Sequence, residues 1–146
     1  MGQRSPTREL AKINTTKDIE MPLDEGEYWE HIQPTLKVLR AVSPQAEKWV
    51  REKQETGKIK YDASTGFYAT FDFVSRELTI YPRFFDMEDG VKASILAHEW
   101  RHSRQNPEKF IKYIMSYAIT RELQTELVEN DAYLYEAQCR ESLYGY

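Results

Sequence analysis

From Tyr28 to about Arg40, apolar residues recur every three or four positions: Tyr28, Ile32, Leu36 and Leu39. That spacing predicts one buried face of a helix. Ser43-Pro44 reads as an N-cap with proline at the first helical position. The helix it opens carries Ala46, Trp49 and Val50 and is expected to stop near Gly57. The period then changes from helix to strand. Lys58–Asp62 suits a short strand, and the aromatic run Gly66–Val74 alternates partly. Glu77–Tyr81 alternates again, so these two runs predict an antiparallel hairpin turning at Ser75-Arg76. Pro82 ends the second run on its ladder side.

Asp86–Gly90 reads as a loop into a helix from about Val91 to Gln105, broken by Asn106-Pro107. A last helical pattern runs from Pro107 to about Leu143. Its stripe of Ile111, Met115, Ala118, Glu122, Thr125, Glu129, Ala132 and Glu136 begins apolar and turns acidic halfway. A core-facing helix has no need of such a change. Residues 1–22 are polar, lack periodicity and contain Pro6 and Pro22, so they are expected to be flexible or draped over the domain. The remainder, 23–146, reads as a single domain.

Composition narrows the classes. A chain of 146 residues with 40% apolar content can bury one core. A net charge of −4 with well-mixed signs argues against a phosphate-gripping protein, so no nucleic acid partner is expected. No apolar run approaches the roughly 20 residues that span a bilayer, so no membrane partner is expected either. The start, MGQRSPTREL, lacks an apolar signal segment, and Cys139 is the single cysteine. Both point to a cytoplasmic, reducing location.

The chemistry concentrates in His98-Glu99-Trp100-Arg101-His102, an H-E-x-x-H motif inside a predicted helix. Residues i and i+4 stand one above the other on a helix, so both imidazoles can reach one metal ion. Glu99 is offset by about 100° and can serve instead as a base toward a water held by the metal. Zinc with three protein ligands keeps a fourth position for that water and lowers its pKa toward roughly 7. The ordinary alternative is a surface helix with two solvated histidines. The acidic stripe favours the metal, because it offers the carboxylate a third ligand requires. Trp100 falls on the opposite side of the helix, where packing is its default role, and Arg101 and Arg104 also point away from the 98/102 face.

The order of elements, with a strand pair ending in Leu78-Thr-Ile-Tyr-Pro82 before Ile95-Leu-Ala-His-Glu-Trp-Arg-His-Ser103, resembles the minimal zincin metallopeptidase core. Glu129-Asn-Asp-Ala-Tyr-Leu-Tyr-Glu136 resembles the E-x-x-A helix of small gluzincins. The resemblance spans roughly residues 58–140. It implies an α+β fold with a small, mostly antiparallel sheet packed on the H-E-x-x-H helix and a long C-terminal helix. It also implies one zinc ion (Zn2+) on His98, His102 and Glu129, with Glu99 as general base. Ala132 would let the two helices approach closely. The third histidine of metzincins and the Asn-Glu-x-x-x-Asp extension of large secreted enzymes are absent, so the likeness is to the class and not to a subfamily.

Several assignments stay open at this level. Glu122 shares the stripe with Glu129, and Glu126 and Asp131 are further candidates for the third ligand. Asp131 also suits a carboxylate that orients a ligand imidazole. Tyr117, Tyr133 and Tyr135 are candidates to stabilise an oxyanion. Phe67, Tyr68, Phe71 and Phe73 are expected in the core rather than in a substrate subsite. The expected function is zinc-dependent hydrolysis of a peptide or protein substrate, held along the strand around Leu78–Tyr81 as an added strand. The rival is a non-catalytic binding or regulatory module, or a phage-type structural protein, on a zincin scaffold. Hydrolysis of another amide, such as a cell-wall peptide crosslink, is a further enzymatic alternative.

Overall fold

The computed structural model describes residues 6–64, 66–105 and 120–145, with side chains of the last helix from Val128 onward. Among the described residues, five helices and a three-stranded sheet make the α+β fold expected. Helix α1 is Pro6–Ala11, α2 Glu25–Val42, α3 Pro44–Glu55, α4 Asp89–Arg104 and α5 Thr120–Tyr144. No helix among the described residues is long and apolar enough to cross a membrane.

Helix α2 begins at Asp24, whose carboxylate accepts the Glu27 N–H at 2.8 Å. It buries Tyr28, Ile32, Leu36 and Leu39, the face its periodicity predicts, and adds Thr35 and Val38. Helix α3 has Pro44 at its first turn and buries Ala46 and Val50. Ser43 caps it through the backbone only, its carbonyl accepting the Glu47 N–H at 3.1 Å. Its hydroxyl turns instead to the Tyr135 hydroxyl, 2.5 Å away.

Helix α4 is central. It touches α1, α2, α3, α5 and strand β2, and residues 92–99 are buried without a break. A helix enclosed on most sides carries no clean amphipathic stripe. Gly90 sits in its first turn because a Cβ there would come within 2.5 Å of the Tyr144 hydroxyl and 2.6 Å of the Ala11 Cβ. Leu96, Phe84, Phe85, Leu78 and Ile80 meet α2 in one core. Each large apolar side chain buried there contributes roughly 1.5–3 kcal/mol. The two phenylalanines sit in a 3-10 turn, Pro82–Asp86, where the sequence suggested the end of a strand and a loop.

The sheet is mixed, in the order β1-β3-β2, with β1 Ile59–Tyr61, β2 Ala69–Phe71 and β3 Leu78–Ile80. The hairpin β2/β3 is antiparallel, with Thr70 opposite Thr79. Strand β1 pairs parallel with β3, Lys60 opposite Thr79, so one of the two ladders departs from the antiparallel expectation. Strand β3 is therefore the central strand and both of its edges are filled. The expectation that Leu78–Tyr81 offers a free edge to substrate is overturned; among the described residues the free edge beside α4 belongs to β2.

Residues 7–16 lie against the start of α4. The Ile13 carbonyl accepts the Asp89 N–H at 2.7 Å, and Tyr144 donates to the Ala11 carbonyl at 3.0 Å. Thr16 donates to the Phe85 carbonyl and accepts from the fully buried Lys92 ammonium at 2.7 Å. Lys92 also pairs with Asp89 at 2.9 Å. Burial of this lysine holds its pKa below the ordinary value, against the opposing pull of Asp89.

Candidate metal centre

Helix α4 carries His98, Glu99 and His102 into one cleft, each only 6% exposed. The two Nε2 atoms face each other 3.1 Å apart. Helix α5 brings Glu129 onto both, with Oε1 2.8 Å from His102 Nε2 and Oε2 3.6 Å from His98 Nε2. Two donors each about 2.0–2.1 Å from a tetrahedral zinc stand about 3.3 Å apart. The three separations bracket that value, although the carboxylate uses a different oxygen toward each imidazole. His98, His102 and Glu129 form the group suited to hold a metal ion. Ala132, three residues on from Glu129, is fully buried, as the close approach of two helices requires.

Of the other third-ligand candidates, Asp131 does not join the group. It holds Arg101 through two hydrogen bonds, 2.8 and 3.1 Å. Glu122 lies in α5, but its side chain and that of Glu126 fall outside the described residues, as does Tyr117.

Protonation is set by neighbours. Gln105 Nε2 donates to the Val128 carbonyl at 2.8 Å and to Asp131 at 3.2 Å. That fixes its amide, so Oε1 faces His102 Nδ1 at 2.9 Å and accepts from it. In the neutral imidazole that contact selects the Nδ1–H tautomer, which would leave the Nε2 lone pair for a metal. Asp131, expected to orient an imidazole directly, acts one step back through Gln105. On the other histidine, Glu136 Oε1 lies 3.0 Å from Nδ1, a charge contact without hydrogen-bond alignment, which leaves this buried nitrogen without a hydrogen bond. Arg140 anchors Glu136 at 2.8 Å and donates to the Ser94 hydroxyl at 2.9 Å.

Glu99 carries the strongest perturbation in the cleft. Burial, then the charges of Glu129 and Glu136, push its pKa up to about 8, against a hydrogen bond from the Phe71 backbone. Three carboxyl groups around two imidazoles are an arrangement that a divalent cation neutralises. The donor set, two imidazole nitrogens with one carboxylate, is one that divalent transition metals take, zinc and iron(II) among them.

The cleft encloses about 820 Å³. Its second wall is the segment 66–73. Only Ala69 of this run is buried in the core; Phe67 is 59% exposed, and Tyr68, Phe71 and Phe73 line the cleft. The expectation that these aromatics are core holds in part for Tyr68, which packs half-buried against it, and is corrected for Phe67, Phe71 and Phe73, because an edge strand beside α4 has one flank open. Tyr133, 56% exposed, stands over His98 with ring centroids 4.6 Å apart. Tyr135 points elsewhere, to Ser43 and Trp100. Trp100 packs there half-buried, on the side of α4 away from the ligands.

Glu136, Gln105 and Arg140 were not singled out for these roles. Gln105 does sit three residues past His102, a spacing that lets side chains meet on a helix. Comparison with known proteins finds no match: no family model, no curated protein and no solved structure is significantly similar to the chain.

Proposed function

We propose that this chain is a zinc-dependent peptidase of the zincin class, with His98, His102 and Glu129 holding the ion and Glu99 as general base. The observation that carries the reading is the buried Glu99 carboxyl beside the three-donor group. A module that only binds metal or a partner has no need of a buried acid with a raised pKa next to its ligands. Zinc, when bound, would polarise a carbonyl and acidify a water. Glu99 takes the proton of the attacking water and passes it to the leaving amine. With a cation on the three donors beside it, Glu99 would titrate below about 8, toward the range a base requires.

The peptide lies along β2. Tyr68 accepts from the Tyr81 N–H at 3.0 Å and the Asp72 N–H reaches Glu77 at 3.0 Å, so these residues face β3. Antiparallel alternation then turns the backbone groups of Ala69 and Phe71 to the free edge. The Phe71 N–H is engaged with Glu99. The Ala69 groups and the Phe71 carbonyl offer an extended backbone its ladder. Tyr133 stands where it can donate to a carbonyl oxygen as charge develops. The lone, buried Cys139 suits a reducing compartment such as the cytoplasm.

The test pairs metal analysis with one substitution. Protein purified without chelator is expected to hold about one zinc per chain and to cut peptides in a mixed peptide library. Glu99→Gln is expected to keep the zinc and lose about 10²–10⁴ in rate. Zinc uptake without any peptide cleavage would give the site to the non-catalytic reading.

A further inference from the structure

Helix α4 has a second face. Its cleft side carries the histidines, while Trp100, Arg101, Ser103 and Arg104 line a separate groove of about 590 Å³ with Gln45, Lys48, Trp49, Glu52 and Arg76. Four cations stand there against one acid, in a chain whose net charge is −4; Arg101 is paired with Asp131, which leaves Lys48, Arg76 and Arg104 against Glu52. The charge is held in place from below. Arg76 donates to the Ser103 carbonyl at 3.0 Å and lies over the Phe71 ring at 4.8 Å. Lys53 donates to the Arg76 carbonyl at 2.6 Å. The Lys53 pKa is lowered by burial and then by the charges of Arg76 and Lys58, against an opposing pull from Glu52. Lys48 and Arg104 are exposed, with no ion-pair partner among the described residues. Half-buried Trp49 and Trp100 supply apolar surface between the cations.

We infer that this groove is a docking site for a short acidic peptide segment of a partner protein, with Lys48 and Arg104 taking carboxylates and Trp49 and Trp100 taking an apolar side chain. Charge complementarity selects this occupant. The chain's own segments outside the structure do not complement the groove: residues 106–119 carry Lys109 and Lys112 against Glu108, and residues 1–5 carry Arg4 and no acid. A nucleic acid is a poorer fit. Its phosphates continue beyond four clustered cations onto a surface that is otherwise net acidic, within the roughly 8–10 Å over which charges act at physiological salt. The inference does not depend on the peptidase reading, since the groove lies behind the metal helix and uses none of its ligands.

The probe is a fluorescein-labelled peptide of alternating Glu and Asp with one central Leu-Tyr pair, followed by anisotropy against the metal-loaded full chain. Saturable binding that weakens with salt is expected. Lys48→Glu with Arg104→Glu should weaken it about tenfold or more, from two reversed exposed charges. Lys37→Glu, an exposed charge reversal on α2, should leave it unchanged. All three substituted side chains are solvent-facing, and matching circular dichroism checks that the variants fold. Absence of binding, equal weakening by Lys37→Glu, or equal affinity for the same peptide with Lys in place of the acids would overturn the inference. So would tighter binding of a single-stranded oligonucleotide. Salt-sensitive self-association abolished by the double variant would assign the groove to a second copy of the chain instead.

Discussion

Gln105 Oε1 stands 2.9 Å from His102 Nδ1, and the amide on the same side chain is committed to Val128 and Asp131. One neutral residue thus faces Nδ1 of His102, the nitrogen turned away from Glu129 and His98, and it ties the end of α4 to α5. Gln105→Ala is expected to lower zinc affinity about 10–100-fold, the usual cost of losing such a partner. Competition with a chelator of known affinity measures it. Nitrogen chemical shifts should show His102 moving from a single Nδ1–H tautomer to a mixture. Unchanged affinity and tautomer would remove Gln105 from the site.

The third ligand can be separated from its neighbours on α5. Glu129 touches both imidazole nitrogens, whereas Glu136 approaches only the far side of His98. Glu129→Ala should cost orders of magnitude in zinc affinity, and Glu136→Ala about tenfold through loss of orientation. Glu122 lies two turns from Glu129, about 10 Å along the axis, so Glu122→Ala should leave affinity nearly unchanged. A larger loss for Glu136→Ala or Glu122→Ala than for Glu129→Ala would show that another carboxylate completes the ion's shell.

How much of this was legible in the sequence follows from the range of the interactions. The pairing of His98 with His102 is fixed by four residues of one helix, so spacing alone suggests it; the choice of Glu129 over Glu122 on the same stripe rests on the resemblance of Glu129–Glu136 to a gluzincin helix. Strand order is different. Strand β1 inserts beside β3 through a parallel pairing of residues nineteen apart, and no local pattern announces it. That one pairing makes β3 central, leaves β2 at the edge, and opens Phe67 and Phe71 to the cleft. An aromatic strand reads as core in any sequence; its neighbours decide otherwise. For residues 7–16 the sequence left two outcomes, flexible or draped, and the structure shows the second. Their attachment rests on Ala11 and Leu10, on backbone groups and on Thr15, Thr16 and Asn14, too few apolar positions to make a periodic pattern.

Metal-free protein should lose stability as pH rises. Glu99 titrates near 4.5 when exposed and at about 8 in the fold, so the folded state favours its protonated form. The stability this contributes is complete below the unfolded value and is lost as pH rises through about 8. Between the two, one proton's difference is worth about 1.4 kcal/mol per pH unit at most. In chelator-treated protein the melting temperature of the parent, relative to Glu99→Gln, should fall from pH 5 to pH 9. The comparison cancels groups common to both. A constant difference would mean that Glu99 is not the proton reservoir of the empty cleft.

The last prediction concerns what holds the metal helix in place. Lys92 is fully buried at the first turns of α4, 2.9 Å from Asp89 Oδ1 and 2.7 Å from the Thr16 hydroxyl. The Thr15 hydroxyl donates to the same Asp89 oxygen at 2.9 Å, so one cation and one carboxylate clamp the N-terminal segment onto the helix that bears the histidines. A buried pair contributes little net stability when compared with apolar residues of the same shape, because both charges pay desolvation. Removing one partner is another matter, since the remaining charge is left uncompensated. Lys92→Met should therefore destabilise the fold by about 3–5 kcal/mol, while Asp89→Asn with Lys92→Met should recover much of that loss. Denaturant unfolding of the four proteins of this cycle measures the coupling. Limited proteolysis should show new cuts within residues 7–16 in the single variant and fewer in the double. Equal stability of the single and double variants would mean that the clamp acts through Thr16 and packing, with no energetic role for the ion pair.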